Sequence, residues 1–389
     1  MIIFIFFNEI RIQKKSKDEV PANWELLIYF LQLIYMEVHR MRLLSLLITL
    51  LISSVAFASN QDNKLVFLNW PDYIHPKIIL SFEKKFGVDV QVVHYETDEL
   101  KEEMLLANDA KGFDVMVGSG ISMLQYVKRK WIVQISPQDI PNIQYLKKRF
   151  KTIHPTLLHS AVPYLWGTLG IGYRKDKIKC KVNSWEDLFR PKEILRNKIL
   201  MINDSRDTVG AALKLCGFSI NSTLLEHYDR VFHILKFQRG FVKAYGYIDL
   251  EEKSQLVTGE IWMAMMYNGD ALALRKQNAH IDYCVPKEGS NLWIDYLAIL
   301  SKSNKKPLAK AFINYILEPN NSAQISMFLK YATPNKAAEK YMTKEHLNNP
   351  MIYPPENILD ISEIYRSLPA TIIKKRNNIF LDIVHNEEK

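Results

Sequence analysis

The chain has 389 residues, 48% hydrophobic and 24% charged, with a formal net charge of +9, which suits a folded protein with room for two lobes. The basic residues are scattered, as in Lys128-Arg129-Lys130, Lys147-Lys148-Arg149 and Lys374-Lys375-Arg376, and lack interleaved stacking aromatics. They read as solvated faces and argue against a nucleic-acid partner.

Near the start, Met41-Arg42 leads into an apolar run over residues 43–58 that closes on Ala56-Phe57-Ala58. A short basic segment, an apolar stretch and an A-x-A site describe a secretory signal peptide at 41–58, cut after Ala58. Residues 1–40 then read as a mis-annotated upstream extension, with translation starting at Met41. The competing reading is an anchor drawn from residues 24–57, interrupted by His39, Arg40 and Arg42. No cysteine directly follows the apolar run, so export is expected to release a soluble protein into the periplasm. No later apolar run approaches the length of a membrane span. Cys180, Cys216 and Cys284 show no CxxC or metal-type spacing; one disulfide with a free thiol, or three buried thiols, both fit.

After the leader, strands and helices alternate. Residues 65–69 are strand-like and run into Trp70-Pro71-Asp72-Tyr73. Residues 76–86 form a helical stretch ended by Gly87, and 88–95 alternate as a strand does. Asp98 is expected to cap a helix over 99–108. Residues 113–117 make a third strand, followed by Gly118-Ser119-Gly120. This order implies right-handed crossovers and a parallel sheet, with ligands bound beyond the carboxyl ends of the strands.

A second α/β unit begins near Gly170. Ser184-Trp185-Glu186-Asp187 opens a helix in capping-box style. Strand 199–202 leads through Asn203-Asp204-Ser205-Arg206-Asp207 into a helix over 208–215, and strand 261–266 ends in Tyr267-Asn268-Gly269-Asp270. Trp293-Ile294-Asp295-Tyr296 then precedes a strand at 297–300. The expected fold is therefore α/β and two-lobed, each lobe a mainly parallel sheet flanked by helices, closing on a ligand in the crevice between them.

Trp-x-Asp-Tyr thus occurs twice in a chain with only seven tryptophans. Indole, carboxylate and phenol together suit an organic cation: the acid neutralises an ammonium, and ring faces cover the carbons and attract the charge. The bland alternative is a core Trp beside a solvated Asp. No P-loop, G-x-S-x-G, G-x-G-x-x-G or HExxH is present, so neither a cofactor nor a metal is expected, and a binding protein is favoured over an enzyme. Paired carboxylates with aromatic platforms leave glycoside hydrolysis as the enzymatic alternative.

From about Lys64 onward the chain resembles the spermidine/putrescine-binding periplasmic proteins, the substrate receptors of ABC polyamine importers. The segments carrying the resemblance include Asn69-Trp70-Pro71-Asp72-Tyr73, Phe113-Asp114-Val115-Met116-Val117, Tyr164-Leu165-Trp166-Gly167-Thr168 and Tyr267-Asn268-Gly269. Val285-Pro286-Lys287-Glu288-Gly289, Trp293-Ile294-Asp295-Tyr296 and Tyr331-Ala332-Thr333-Pro334-Asn335 extend it. The resemblance implies a type II periplasmic binding fold, with one lobe from 62–168 plus 294–339 and the other from 169–293 plus 340–389.

It also implies roles. Trp70 and Tyr73 would flank the carbons of a putrescine or spermidine, Asp72 would meet an amine, and Ser119 would be a polar contact. Asp204 and Asp207 would form the second lobe's acidic pair. Trp293 would be the floor ring, Asp295 the acid gripping a terminal ammonium, and Tyr331 and Tyr365 further contacts. Tyr267 stands where the family commonly has Trp, Ile121 where a ring is often found, and Asp at 72 and 207 is one methylene shorter than the usual Glu. Asp270 is expected to cap the helix that follows it. The implied partners are an ABC permease and its ATPase, with the receptor a monomer. A polyamine sensor for a membrane signalling protein and a same-fold receptor for another cation such as thiamine are the alternatives.

Overall fold

The computed structural model describes residues 29–30, 33–41, 44–45 and 63–385. The chain divides into two units, residues 1–64 and 65–389. In the first, residues 33–41 are helical and exposed, and Arg40 Nη1 lies 3.6 Å from Glu37 Oε1. The signal-peptide cleavage site after Ala58 and most of the upstream extension lie outside the described residues.

The second unit is built on a nine-stranded sheet in the order β2 (Asp89–His94), β1 (Lys64–Asn69), β3 (Val115–Ser119), β9 (Leu292–Ile299), β4 (Ala161–Arg174), β7 (Met263–Tyr267), β5 (Ile199–Met201), β6 (Val242–Tyr245), with β8 (Ile281–Cys284) also paired to β4. Strands β1 (Lys64–Asn69), β2 (Asp89–His94) and β3 (Val115–Ser119) alternate with helices α1 (Pro76–Phe86) and α2 (Asp98–Ala107). Helix α1 ends where the sequence predicts. Gly87 takes φ 67°, and its N–H donates to the Glu83 carbonyl at 2.8 Å, a left-handed cap that glycine adopts freely. Helix α2 begins one residue earlier than expected, because Thr97 and not Asp98 is its cap. Thr97 Oγ1 accepts from Leu100 N at 3.1 Å, and Asp98 becomes the first helical residue, where its charge suits the positive helix end.

The remaining strands are β4 (Ala161–Arg174), β5 (Ile199–Met201), β6 (Val242–Tyr245), β7 (Met263–Tyr267), β8 (Ile281–Cys284) and β9 (Leu292–Ile299). The sheet is mixed. β1 with β3, and β5 with both β6 and β7, pair in parallel. β9 runs antiparallel to β3 and β4, and β4 runs antiparallel to β7 and β8. β4 links the two halves: Ala161 to Thr168 face β9, and Leu169 to Tyr173 face β7. It is buried along nearly its whole length, as the apolar run Ala-Val-Pro-Tyr-Leu-Trp requires of a strand covered on both faces.

Helices α3 (Gly120–Lys128), α4 (Ser205–Leu215), α5 (Leu225–Arg239), α6 (Asn268–Gln277), α7 (Lys306–Ile316) and α8 (Ala370–His385) flank the sheet. Helix α4 starts earlier than the expected residue 208 because Asp204 caps it. In the first lobe Leu65, Phe67, Val115, Val117, Leu297 and Ile299 pack on Phe312 and Ile313 of α7. In the second, Ile171, Ile199, Met201 and Met263 pack on Val209 and Leu213 of α4 and Val231 and Leu235 of α5. The segment Ser184 to Asp187 closes its turn as a capping box does: Asp187 Oδ2 accepts from Ser184 N at 3.1 Å, and Ser184 Oγ accepts from Glu186 N at 3.0 Å. The three cysteines are unpaired, with Cys180 exposed.

Candidate functional site

Both Trp-x-Asp-Tyr copies lie near the carboxyl end of β3, in different settings. The first follows β1, as expected of a strand end. The second lies inside β9 and not before it. There Leu292, Ile294 and Tyr296 are buried while Trp293 and Asp295 are only partly so, the period-two alternation of a strand. Trp293 and Asp295 therefore share a face. Asp295 is in register with Ser119, the last residue of β3, whose Oγ accepts from Ser122 N at 3.4 Å at the start of α3.

Three rings surround Asp295. Tyr73 donates its hydroxyl to Asp295 Oδ2 at 2.9 Å. Tyr331 stands edge-on to Tyr73 and to Trp293, with centroids 5.7 and 5.2 Å apart. Behind them, the Tyr164 hydroxyl donates to the Tyr73 carbonyl at 2.9 Å, which fixes the turn carrying Tyr73. Burial pushes the Asp295 carboxyl up to about 6; the Tyr73 hydrogen bond and the Lys101 ammonium oppose this, and Asp98 adds to it. Burial and the same carboxylate push the Tyr73 phenol well above its ordinary value.

Trp70 packs on Tyr95, with ring centroids 4.4 Å apart. The Lys101 ammonium lies 5.8 Å from the Trp70 ring and 4.9 Å from Tyr95, and it pairs with Asp98. Asp72 is exposed with φ 50°, and among the described residues it makes no hydrogen bond to this group.

A second cluster forms where β5 and β7 end. Asp204 Oδ1 accepts from the backbone N–H groups of Arg206 and Asp207, at 2.7 and 2.9 Å, as a helix cap does. Asp207, 1% exposed, accepts from the Tyr267 hydroxyl at 2.5 Å and from the Tyr365 hydroxyl at 2.8 Å. Burial raises the Asp207 carboxyl, Asp204 raises it further, and Arg206 with the two phenols pulls it back. Burial disfavours the charge on Arg206, but Asp207 and Asp204 outweigh this and raise its pKa. Its guanidinium lies 5.1 Å from the Tyr365 ring.

Between the clusters sits Asp270 at the start of α6. Tyr267, not the expected Asp270, holds the cap position of that helix, and Asp270 lies inside its first turn; burial pushes its carboxyl up to about 6, against the pull of the Tyr267 backbone. The halves approach closely here. A Cβ on Gly269 would fall 2.2 Å from the Tyr331 ring, and one on Gly167 would fall 2.2 Å from Asn268 Oδ1. Only glycine permits that approach.

The eleven sequence-predicted residues thus divide. Trp70, Tyr73, Ser119, Trp293, Asp295 and Tyr331 gather in one group, Asp204, Asp207, Tyr267 and Tyr365 gather in another, and Asp72 joins neither. Lys101, Asp98, Tyr95, Tyr164 and Arg206 were not foreseen. The available signal for Lys101 was its position on the same helical stripe as Met104 and Leu105. Two carboxylates held by phenols, Asp207 buried and Asp295 partly buried beside Trp293, can hold cationic groups spaced along an apolar chain. A separate recess of about 240 Å³ contains Arg275, Lys276 and Lys330 with Glu345 as its one acid, and it offers a cation no such home.

Residues 77–350 match the family described as bacterial extracellular solute-binding protein. Over 313 residues the chain is 30% identical to the spermidine/putrescine-binding periplasmic protein of Salmonella typhimurium, covering 80% of this chain and 88% of that protein. Over 349 residues it is 26% identical to the norspermidine sensor of Vibrio cholerae, covering 89% and 95%. Its backbone matches the spermidine/putrescine ABC transporter substrate-binding protein of Streptococcus pneumoniae, solved with calcium and HEPES. That match has a TM-score of 0.77 and 25% identity, and covers 82% of this chain and 98% of that one.

Proposed function

The chain belongs to the bacterial extracellular solute-binding proteins, among the spermidine/putrescine-binding periplasmic proteins, and from that premise we propose that it captures a polyamine between its lobes and delivers it to an ABC importer. The observation that carries the reading is the pairing of two phenol-held carboxylates, the partly buried Asp295 in one lobe and the buried Asp207 in the other.

A polyamine carries ammonium groups along a flexible methylene chain. Asp295 takes one terminal ammonium, and Asp207 with Asp204 takes another, through charge-assisted hydrogen bonds. Trp70, Tyr73, Trp293 and Tyr331 cover the methylenes, Tyr267 and Tyr365 orient Asp207, and Ser119 adds a polar contact. Without a cation, closing the cleft brings buried acids together at a cost; with one, closure is favourable. The lobes comprise 62–168 with 294–339 and 169–293 with 340–389, hinged in β4 where its partner changes from β9 to β7. The closed form is what the permease reads. The net charge of +9 opposes long-range steering of a cation, so capture depends on the local acids. The protein works as a periplasmic monomer, exported by the signal peptide at 41–58 and cut after Ala58.

Trp70 and Trp293 make intrinsic fluorescence a direct readout. Titration with putrescine, spermidine, spermine, thiamine and a neutral disaccharide is expected to give a saturable change with at least one polyamine at concentrations that leave the sugar without effect. A response to thiamine alone, or to the sugar as readily as to polyamines, overturns the reading. The likeness to the norspermidine sensor favours a second reading, in which the closed receptor docks on a signalling protein. Ligand-dependent stimulation of a reconstituted importer's ATPase supports delivery, and its absence supports sensing.

A further inference from the structure

We infer that Lys101 sets ligand length in this cleft: its own ammonium, tethered to α2 beside Trp70, fills a cation position at the first-lobe end and restricts the site to a short diamine. The inference rests on the polyamine reading above. It starts from a charged side chain in an unusual place. The Lys101 side chain is 0% exposed and sits on the buried stripe of α2 with Leu105. A buried ammonium persists only when it is paired.

Its surroundings are those of a ligand subsite. One carboxylate, Asp98, pairs with it. Two aromatic faces, Trp70 and Tyr95, lie 5.8 and 4.9 Å from Nζ. This carboxylate-and-ring arrangement is the one proposed for the ligand's ammonium groups, and here the chain supplies the cation itself. The position adjoins the Asp295 pocket. Nζ lies 3.2 Å from where a Cβ on Gly118 would be, Gly118 precedes Ser119, and Ser119 is in register with Asp295. The lysine charge reaches Asp295 and opposes the rise in its pKa.

The first-lobe end therefore offers an incoming cation one uncompensated carboxylate, Asp295, where removal of Lys101 would leave two. A triamine extending past Asp295 toward Trp70 meets a like charge in a poorly solvated place. A diamine ending at Asp295 does not reach it. Asp98 is 39% exposed on its side chain, so it stays solvated if its partner is removed, and methionine has nearly the length of the lysine stem.

The test is calorimetric titration of putrescine and spermidine into the full protein and into Lys101→Met, with Lys101→Gln as a second variant if a thermal melt shows that the methionine form does not fold. The expected result is a wild type that binds the diamine more tightly than the triamine. The triamine-to-diamine affinity ratio should then rise about tenfold or more in the variant, and fall back when Asp98→Asn is added. An unchanged ratio with polyamine binding intact, or a wild type that prefers the triamine, overturns the inference and leaves the receptor reading standing. Absence of binding to either amine in all forms overturns the receptor reading, and this inference with it.

Discussion

Tyr73 and Asp295 stand 222 residues apart in the chain, and the phenol hydroxyl of one donates to Oδ2 of the other at 2.9 Å. The contact joins the two Trp-x-Asp-Tyr segments directly. It holds a carboxylate in place within a ring-lined site, where it remains costly to ionise.

That cost gives the first prediction. The folded pKa of Asp295, about 6, lies above an unfolded value of about 4. The contribution of this group to stability is therefore full below about pH 4 and is lost as pH rises through about 6. Asp295→Asn removes the titration and keeps an acceptor for Tyr73. Denaturant unfolding without ligand should show the variant gaining on wild type by about 2–3 kcal/mol between pH 4 and pH 7.5. A gap that does not change with pH contradicts the assignment.

Ligand affinity should show the opposite trend. A cation needs Asp295 ionised, and its own amines stay charged well above neutrality. Below pH 6 the carboxylate protonates, so affinity should fall roughly tenfold between pH 7 and pH 5. Asp207, also raised by burial, adds in the same direction. Binding near pH 6 should release protons, seen as a heat that varies with the ionisation enthalpy of the buffer. Pure proton uptake on binding would contradict this.

Tyr267 and Tyr365 both donate to Asp207. Removing either hydroxyl as Tyr267→Phe or Tyr365→Phe takes away a hydrogen bond to a charged group, worth about 1.5–3 kcal/mol. It should push the Asp207 carboxyl higher still. Polyamine affinity at pH 7 should drop by about tenfold or more for each, with part of the loss recovered as pH rises, because the Asp207 carboxyl is already raised by burial. Losses that persist unchanged at higher pH would show that the phenols act by packing alone.

Gly269 tests how closely the halves must meet. A Cβ there would fall 2.2 Å from the Tyr331 ring, so Gly269→Ala forces Tyr331 off Trp293 and Tyr73. Overpacking of this kind costs about 1–3 kcal/mol. We expect that loss in the liganded protein, measured as a smaller ligand-induced rise in Tm, and a changed near-UV signal from the ring group. A wild-type response would contradict the close approach.

Much of this was legible along the chain, for physical reasons that differ by element. Helix α1 carries its own stop in Gly87, and the Asp204-to-Asp207 segment announces a helix start after a short strand. The apolar run at 297–300 is the stronger strand signal and puts the second Trp-x-Asp-Tyr before a strand, although Leu-Trp-Ile-Asp-Tyr alternates as a strand interior does. Thr97 and Asp98 are both cap formers, so the choice between them lay in backbone geometry. Lys101 lies within a charged helix, and its burial depends on Trp70, Tyr95 and Gly118, which come from other segments. The left-handed turn at Asp72 removed that acid from both groups, which its neighbours in sequence did not signal. The Tyr73–Asp295 contact has no local signature at all.

Calorimetric titration of spermidine and putrescine at pH 7.5 into wild type, Asp295→Asn and Asp207→Asn tests most directly whether one acid from each lobe holds the ligand. We predict a wild-type Kd of about 10 μM or tighter for at least one of the two amines, and a loss of about a hundredfold or more in each variant with folding intact. Wild-type binding no tighter than that of a neutral sugar, or full affinity in both variants, would contradict it.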